Sequence, residues 1–388
     1  MRAVHRRLLI TGVVAASVGA AATLPSFASG PDPILVQVSA AQGTPAPGRY
    51  IVTLKNGASS AAAVKEVKAA SAQRFGGALN GFAAKLSSAQ IDKLRRSHDV
   101  AAIEQDQVVR ASTTQSSPVW GLDRIDQRKL PLSKSYYYKN TGSGVNAYIV
   151  DTGIAWSHPQ FEGRAKSVWN APSFANGWDC NGHGTHVAGT IGSKTYGVAK
   201  KVNLRGLRVL DCNGEGYLSD IIAATDWLRT HAAKPAVANY SLGGSKSTAL
   251  NTAVTNLSKS GVFVAVAAGN ENQNACNTSP ASAGWVEAVG ATTIYDNRAS
   301  FSNYGSCVDI FAPGYGIKST WPGGGTATES GTSMASPHVA GVAALYLQTH
   351  RSATFPTVQK WLSDNSTKGR LGRIPSGTAN KLLYKGTL

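Results

Sequence analysis

Acidic residues are scarce in this chain. Its 388 residues carry 21 Asp and Glu against 38 Lys and Arg, a formal charge of +17. Such an excess invites a nucleic-acid reading, but the pattern that would support one is missing. Residues 115–388 hold 25 basic and 15 acidic residues and no Lys/Arg-rich run. The charge is therefore read as solubility and mild attraction to acidic surfaces, and no nucleic-acid partner is expected. Long apolar runs are missing as well once the N-terminus is passed. No later segment is long enough to span a bilayer, and the C-terminus carries no hydrophobic tail, so no membrane anchor is expected. Internal repeats are absent. Charged residues reach only 15% while glycine is abundant at 41, the composition of a compact, loop-rich chain and not of a disordered one. Cysteine is limited to Cys180, Cys212, Cys276 and Cys307. An even number in an exported chain makes disulfides the default, and four cysteines allow three pairings.

What is present begins with a secretion signal over 1–28. Arg2, Arg6 and Arg7 form its basic start, "LLITGVVAASVGAAA" its apolar core, and "SFA" ending at Ala28 a small-x-small cleavage site. The core is short for a bilayer span and Pro25 follows it, so cleavage and release are expected. Residues 30–48, rich in Pro, Gly, Ala and Gln, read as a linker. A small α+β unit follows: a strand over 49–55, a helix over "SSAAAVKEVKAASAQ", a strand-like "LNGFAAKLS", and a last strand over 100–109. Ser87 and Gln90 have capping-box spacing ahead of "IDKLRRS". "ASTTQSSP" (111–118) reads as an exposed connector of the kind proteases nick. The expected domains are thus 1–28, 29–114 with a folded core over about 49–110, and 115–388.

From Trp120 the texture changes. "VNAYIVDTG", "KPAVANYSLGG" and "GVFVAVAAGN" are apolar runs that end in polar residues, and helical patterns such as "SDIIAATDWLRTH" separate them. Strands buried on both faces and alternating with helices predict an α/β fold with a central, mainly parallel sheet. Ligands of such sheets bind at the C-terminal strand ends. Asp151 in "VDTG", His183 and His186 in "NGHGTHVAGT", Asn270 in "AAGN" and Ser333 in "GTSMASPHVAG" gather there. Taken singly each has an ordinary explanation: Asp and Asn form turns, and Ser caps helices. Cys180-x-x-His183-x-x-His186 with Cys212 also has the look of a zinc cluster. Taken together they describe a reaction. An Asp orients a His, the His takes a serine proton, and the serine attacks a carbonyl. An Asn amide and the backbone N–H of the serine then hold the oxyanion at a helix N-terminus.

The chain order Asp, His, Ser differs from that of α/β-hydrolases and of chymotrypsin-like enzymes. "DTGI", "HGTHVAGT", "SLGG", "AAGN" and "GTSMASPHVAG" closely resemble the subtilisin-like serine peptidases. "GLDRIDQRKLPLS", "YGVAKKVNLRGLRVLDCNG" and "ASFSNYGSCVDIFAPG" resemble the proteinase K branch, and within it the aqualysin-type secreted bacterial enzymes. The resemblance runs from about Trp120 to the C-terminus, and 49–110 look like the inhibitor-like propeptide of that family.

The resemblance implies a subtilisin-like three-layer fold preceded by the small propeptide domain. It implies a secreted endopeptidase with Asp151, His183 and Ser333 as its triad, Asn270 with the Ser333 N–H as oxyanion hole, and His186 as structural. Loss of such an oxyanion donor costs about 3–4 kcal/mol, a magnitude that comes from subtilisin itself. By the family pattern Cys180 pairs with Cys212 and Cys276 with Cys307. Each bridge would close a loop of about 30 residues, a contribution of roughly 3–4 kcal/mol in an entropy model. Zinc is then disfavoured, since it would consume His183 and need thiolates outside the cell. An extended peptide would pair between the "NGEG" edge (Gly214, Glu215, Gly216) and the "SLGG" edge (Ser241, Leu242, Gly243). Side chains at Gly214 or Gly243 would block its approach. Backbone pairing reads no sequence, so broad cleavage is expected. Ala268 and Gly269 would wall a primary pocket with no evident charge, suited to large apolar or aromatic residues. No catalytic cofactor is implied. Structural Ca²⁺ is, at Asp309 with the carbonyls of Gly284 and Val286, and at Asp123, Asp126, Gln127, Ser133 and Ser135. The expected partners are protein and peptide substrates and the chain's own propeptide, acting as chaperone and inhibitor of a monomer that cuts itself between Arg110 and Ser117. The rival is a catalytically inactive homologue that binds peptides. "WSHPQFE" (156–162) resembles a streptavidin-binding tag and is read as coincidence.

Overall fold

A computed structural model describes residues 35–41, 45–77, 79–107 and 113–388. The expected signal segment lies outside them, as do 108–109 of the expected last strand, Arg110, and 111–112 of the connector. The chain divides into two compact units, 1–109 and 110–388.

The first unit contains β1 (Val38–Ser39), β2 (Pro45–Leu54), α1 (Ser60–Glu66), β3 (Gln73–Phe75), β4 (Gly81–Lys85), α2 (Ser88–Arg95) and β5 (Val100–Gln107), with the sheet ordered β1-β5-β2-β4-β3. Val52, Leu54, Phe82, Leu94, Val100 and Ile103 form its core. The capping box forms: the Gln90 N–H donates to Ser87 Oγ at 3.3 Å and the Ser87 N–H to Gln90 Oε1 at 2.8 Å. Two expectations differ here. The linker supplies β1 and the start of β2. The helix expected as far as Gln73 stops at Glu66, where Lys68 and Ser71 turn left-handed (φ 52° and 54°). Sheet pairing overrides helix propensity beyond it, because Gln73–Phe75 pair with Gly81–Ala83.

In the second unit, β6 (Thr113–Ser116), α3 (Trp120–Ile125) and β7 (Ser135–Tyr138) come first. Thr113 and Thr114, assigned by sequence to the first unit, pair here with Tyr138 and Tyr137, so part of the expected connector is an ordered strand. Next come β8 (Asn146–Asp151), β9 (Ala165–Asn170), α4 (His183–Gly192), β10 (Asn203–Arg208), α5 (Leu218–His231), β11 (Ala236–Tyr240), β12 (Gly244–Ser245), α6 (Thr248–Lys259) and β13 (Val262–Ala267). The chain closes with β14 (Thr278–Ser279), β15 (Glu287–Thr292), β16 (Ile310–Pro313), β17 (Ile317–Trp321), β18 (Gly325–Glu329), α7 (Thr332–Thr349), α8 (Phe355–Asn365), β19 (Thr367–Lys368) and β20 (Lys381–Leu382).

Nine strands form one sheet in the order β19-β20-β16-β15-β13-β11-β8-β10-β9, parallel throughout except for the β19–β20 pair. Alternate residues of its strands enter two cores. Ala147 and Ile149 pack with Val187 and Ile191 of α4, Val339 and Ala343 of α7, and Phe355 and Val358 of α8. Tyr148 and Val150 face the other way, with Ala224 and Leu228 of α5 and Val254 and Leu257 of α6. Helices on both faces of a parallel sheet make the three layers. The crossovers bring the ends of β8, β11 and β13 to one edge, beside the N-termini of α4 and α7.

Candidate active site

Asp151 closes β8 and is fully buried. His183 opens α4, and its Nδ1 lies 2.7 Å from Asp151 Oδ1. A carboxylate only accepts, so Nδ1 carries the proton and Nε2 is left with its lone pair. The Thr152 N–H also donates to Asp151 Oδ1, at 2.8 Å. Burial works against the imidazolium, but the Asp151 charge and hydrogen bond, with the further charges of Asp179 and Glu329, outweigh it. The His183 pKa stands above its ordinary 6.5. His186 differs. It is fully buried, its Nε2 donates to the Ile317 carbonyl at 2.9 Å, and burial pulls its pKa down to about 4. A neutral imidazole tied to backbone is a structural group.

The start of α4 depends on Gly182, whose φ of +115° favours glycine, and whose added Cβ would meet the Trp321 ring at 2.3 Å. The start of α7 has a different device. Pro337 lies inside this helix and has no N–H for the carbonyl of Ser333, four residues earlier. The Ser241 hydroxyl takes that place, donating to the Ser333 carbonyl at 2.7 Å. Asn239 Nδ2 donates to Ser241 Oγ at 2.8 Å, and Ser336 Oγ donates to Asn239 Oδ1 at 2.7 Å. The end of β11 is thereby tied to the helix that carries Ser333.

Ser333 Oγ donates to the Ser241 carbonyl at 3.0 Å. Among the described residues no hydrogen bond joins it to His183; catalytic hydrogen bonds of this kind tighten in the complex with substrate. As the second residue of α7, Ser333 has an N–H ahead of the first helical bond. Asn270, three residues past β13, accepts from the Thr332 N–H at 2.8 Å and the Thr332 hydroxyl at 2.9 Å, both through Oδ1. Its Nδ2 is the donor left for the cleft.

Two cavities adjoin these groups. One, of about 530 Å³, is lined by His183, Gly214, Glu215, Gly216, Ser241, Leu242 and Gly243. The other, of about 420 Å³, is lined by Gly243, Gly269, Asn270, Glu271, Thr332 and Ser333, among others. Ala268 is not in that wall. It is fully buried, its carbonyl takes the Asn303 amide at 2.9 Å, and Ala267 lines the pocket instead. Glu271 is the charge that the sequence reading missed. It is exposed at the pocket wall, with Oε2 accepting from Asn303 Nδ2 at 2.8 Å. Its place directly after the "AAGN" motif was the available signal. Gly243 is tight, 3.1 Å from the Ser279 carbonyl for an added Cβ. At Gly214 an added Cβ would make only an ordinary contact, 3.7 Å from Asn181 Nδ2, and the turn at φ +83° is what favours glycine.

Cys180–Cys212 and Cys276–Cys307 are disulfides. The zinc reading falls with the first, whose sulfurs cannot serve as thiolates. "WSHPQFE" is not displayed, since His158 and Phe161 are buried.

The subtilase family model matches residues 142–380. This chain belongs to the subtilase family. Residues 49–112 match the peptidase inhibitor I9 family. The chain is 49% identical over 366 residues to an extracellular serine proteinase of Thermus sp. (strain Rt41A), covering 87% of this chain and 89% of that one. It is 46% identical over 352 residues to proteinase R of Parengyodontium album, covering 89% and 90%. A crystal structure of a cold adapted subtilisin-like serine proteinase superposes with a TM-score of 0.68 at 53% identity, over 70% of this chain and 99% of that one. The protein is a secreted subtilisin-like serine protease with an I9 propeptide, and the inactive peptide-binding rival is not favoured. Among the described residues no helix is long and apolar enough to cross a membrane.

Subtilases need no catalytic cofactor, and calcium is common among them. The two implied calcium sites differ in fit. At Asp309 the donors are a carboxylate and backbone carbonyls, all oxygen. Asp309 Oδ2 accepts from the Ala288 N–H at 2.8 Å and the Gly284 carbonyl from the Thr255 hydroxyl at 2.7 Å. Burial pushes the Asp309 carboxyl up to about 6, against the Ala288 hydrogen bond and the Lys381 charge, which lower it. That set suits Ca²⁺. At the second site the positive charge is already supplied. Lys385, fully buried, places Nζ 3.0 Å from Asp126 Oδ1. Asp123 Oδ1 accepts from the Ser133 N–H and hydroxyl, both at 3.0 Å, and Oδ2 from the Lys134 N–H at 2.7 Å. Gln127 Oε1 accepts from the Ser133 N–H at 2.8 Å. With donors on the Asp123 and Gln127 oxygens and the Asp126 charge already paired with Lys385, this site does not fit calcium.

Proposed function

We propose that Asp151, His183 and Ser333 are the catalytic triad of a secreted endopeptidase. The carrying observation is the 2.7 Å contact that fixes the His183 tautomer, at the sheet edge where Ser333 opens a helix. His183 Nε2 takes the Ser333 proton as the hydroxyl attacks the scissile carbonyl, and returns it to the leaving amine. The Ser333 N–H and Asn270 Nδ2 receive the oxyanion, and the α7 N-terminus adds its dipole. Water then hydrolyses the acyl-enzyme with His183 again as base. The backbone at 213–216 and 241–243 borders the cleft, which supports pairing with an extended substrate and broad specificity. Large apolar or aromatic residues enter the primary pocket.

In this reading 1–28 direct export, 29–114 act as chaperone and inhibitor, and the chain 115–388 works as a monomer after cleaving itself between Arg110 and Ser117. A parallel sheet with distant contacts folds slowly, which gives the chaperone its physical reason. Fluorophosphonate labelling of the processed protein, with the adduct located by mass spectrometry, tests the nucleophile. An adduct on Ser333 is expected. A folded protein with an emptied cleft and no adduct there would remove Ser333 from the mechanism. Rapid refolding of 115–388 to full activity without the propeptide would end the chaperone role.

A further inference from the structure

A second carboxylate lies behind the triad. Asp179 is fully buried, four residues before His183 in the chain. A buried charge is tolerated when hydrogen bonds saturate it, and Asp179 has five. Oδ1 accepts from the Thr152 hydroxyl at 2.8 Å, the Asn181 N–H at 3.0 Å and the Gly182 N–H at 2.8 Å. Oδ2 accepts from the Thr185 N–H at 2.8 Å and the Thr185 hydroxyl at 2.6 Å. Three of the five donors are backbone groups around the first turn of α4, the turn that begins with His183.

The Thr152 bond is the one that a helix cap does not require. Thr152 follows Asp151, and its N–H holds Asp151 Oδ1, the oxygen that His183 Nδ1 reaches. Its hydroxyl donates to Asp179 and accepts from the Gly184 N–H at 2.9 Å. One residue thus links both carboxylates and the residue after His183. We infer that Asp179 is a positioning residue, which locks the Asp151 carboxylate and the His183 ring in register through Thr152 and the α4 N-terminus. It touches neither substrate nor the reacting atoms. The charged and titratable groups around His183 are Asp151 on β8, Asp179 ahead of α4, Glu329 on β18 and His186 on α4 itself. Removal of the Asp179 charge takes away one source of support for the imidazolium. The inference rests on the triad reading.

The test uses three separate variants, Asp179→Asn, Thr152→Val and Ser333→Ala, each cut in the connector by an unrelated protease and freed of that protease and of the propeptide before assay. Asn is isosteric but accepts at one atom and presents N–H groups to donors at the other. D179N should lower kcat by about tenfold to a hundredfold with KM little changed, the size of loss expected from misplaced reacting groups. The acid limb of its kcat/KM profile should move to lower pH. A plain helix cap would lose thermal stability and leave kcat and the acid limb in place, and that result overturns the inference. If D179N fails to fold, T152V decides. This variant cuts the bridge and keeps Asp179 bonded to α4, so a reduced kcat supports the role and a wild-type kcat and profile overturn it. S333A separates the two readings. An active S333A would discard the triad and Asp179's role with it, whereas an inactive S333A beside a wild-type D179N discards the role of Asp179 alone.

Discussion

At the scale of single residues, position outranks type. The chain has two histidines in "HGTH", and their surroundings send them in opposite directions. His183 faces a carboxylate and its pKa rises, while His186 faces a carbonyl in the core and its pKa falls to about 4. The proposed mechanism needs neutral His183, so activity should be present at alkaline pH and fall as pH drops through the raised pKa. A pH profile of kcat/KM should therefore show an acid limb above 6.5, and one centred well below that value would contradict the coupling to Asp151. The linked stability has the opposite sense. A group with a raised folded pKa adds stability below its unfolded pKa, and loses it as pH rises through the folded one. Glu271 supplies a second prediction. An exposed carboxylate in the primary pocket should attract a basic residue before the cut, with the modest strength of a solvated ion pair. Glu271→Gln should reduce kcat/KM for an Arg or Lys substrate by about two- to fivefold and leave a Phe substrate unchanged. An equal effect on both would show that the charge is not read.

At the scale of elements, α7 is a helix that its own sequence interrupts. Pro337 deprives the Ser333 carbonyl of its helical partner, and Ser241 repairs the loss from the neighbouring strand end. Ser241→Ala leaves a partly buried carbonyl without its partner, at a cost of about 1 kcal/mol. The expected drop in Tm should shrink when Pro337→Ala is added, because an alanine at that position returns an N–H. Calorimetry on the two single variants and the double variant measures this coupling, and strict additivity would refute it. The same elements show how far local sequence carries. The capping box at Ser87 and Gln90 was legible, since both partners lie within one turn. The end of α1 was not, since Glu66 is followed by good helix formers and only pairing with β4 draws Gln73–Phe75 into a strand.

At the scale of the whole molecule, distant segments supply each other's charge. Lys385, near the C-terminus, neutralises Asp126 near the start of the second unit, while burial lowers its own pKa against the pull of that partner. Asp309 feels the Lys381 charge but forms no close ion pair among the described residues. Chelation of Ca²⁺ should therefore lower the Tm of the wild type. Asp309→Asn should abolish the difference between calcium and chelator, and Asp126→Asn should preserve it. The reverse pattern in a thermal scan would place the metal at the Asp126 corner instead.

The sequence by itself determined the class of protein, because five short motifs in one order match the proposed triad chemistry, and two of them turn on their own glycines, Gly153 at φ +104° and Gly269 at φ +101°. It also carried the alternation of buried strands and helices, since burial on both faces leaves continuous apolar runs. Three matters were decided only in three dimensions. Asp179 reaches Thr152, just past β8 and 27 residues away, Ser241 answers a proline 96 residues away, and Lys385 takes a role that local motif reading gave to a metal. In each case a buried polar group must find a partner, and the partner comes from a segment that only the crossovers of the sheet bring near.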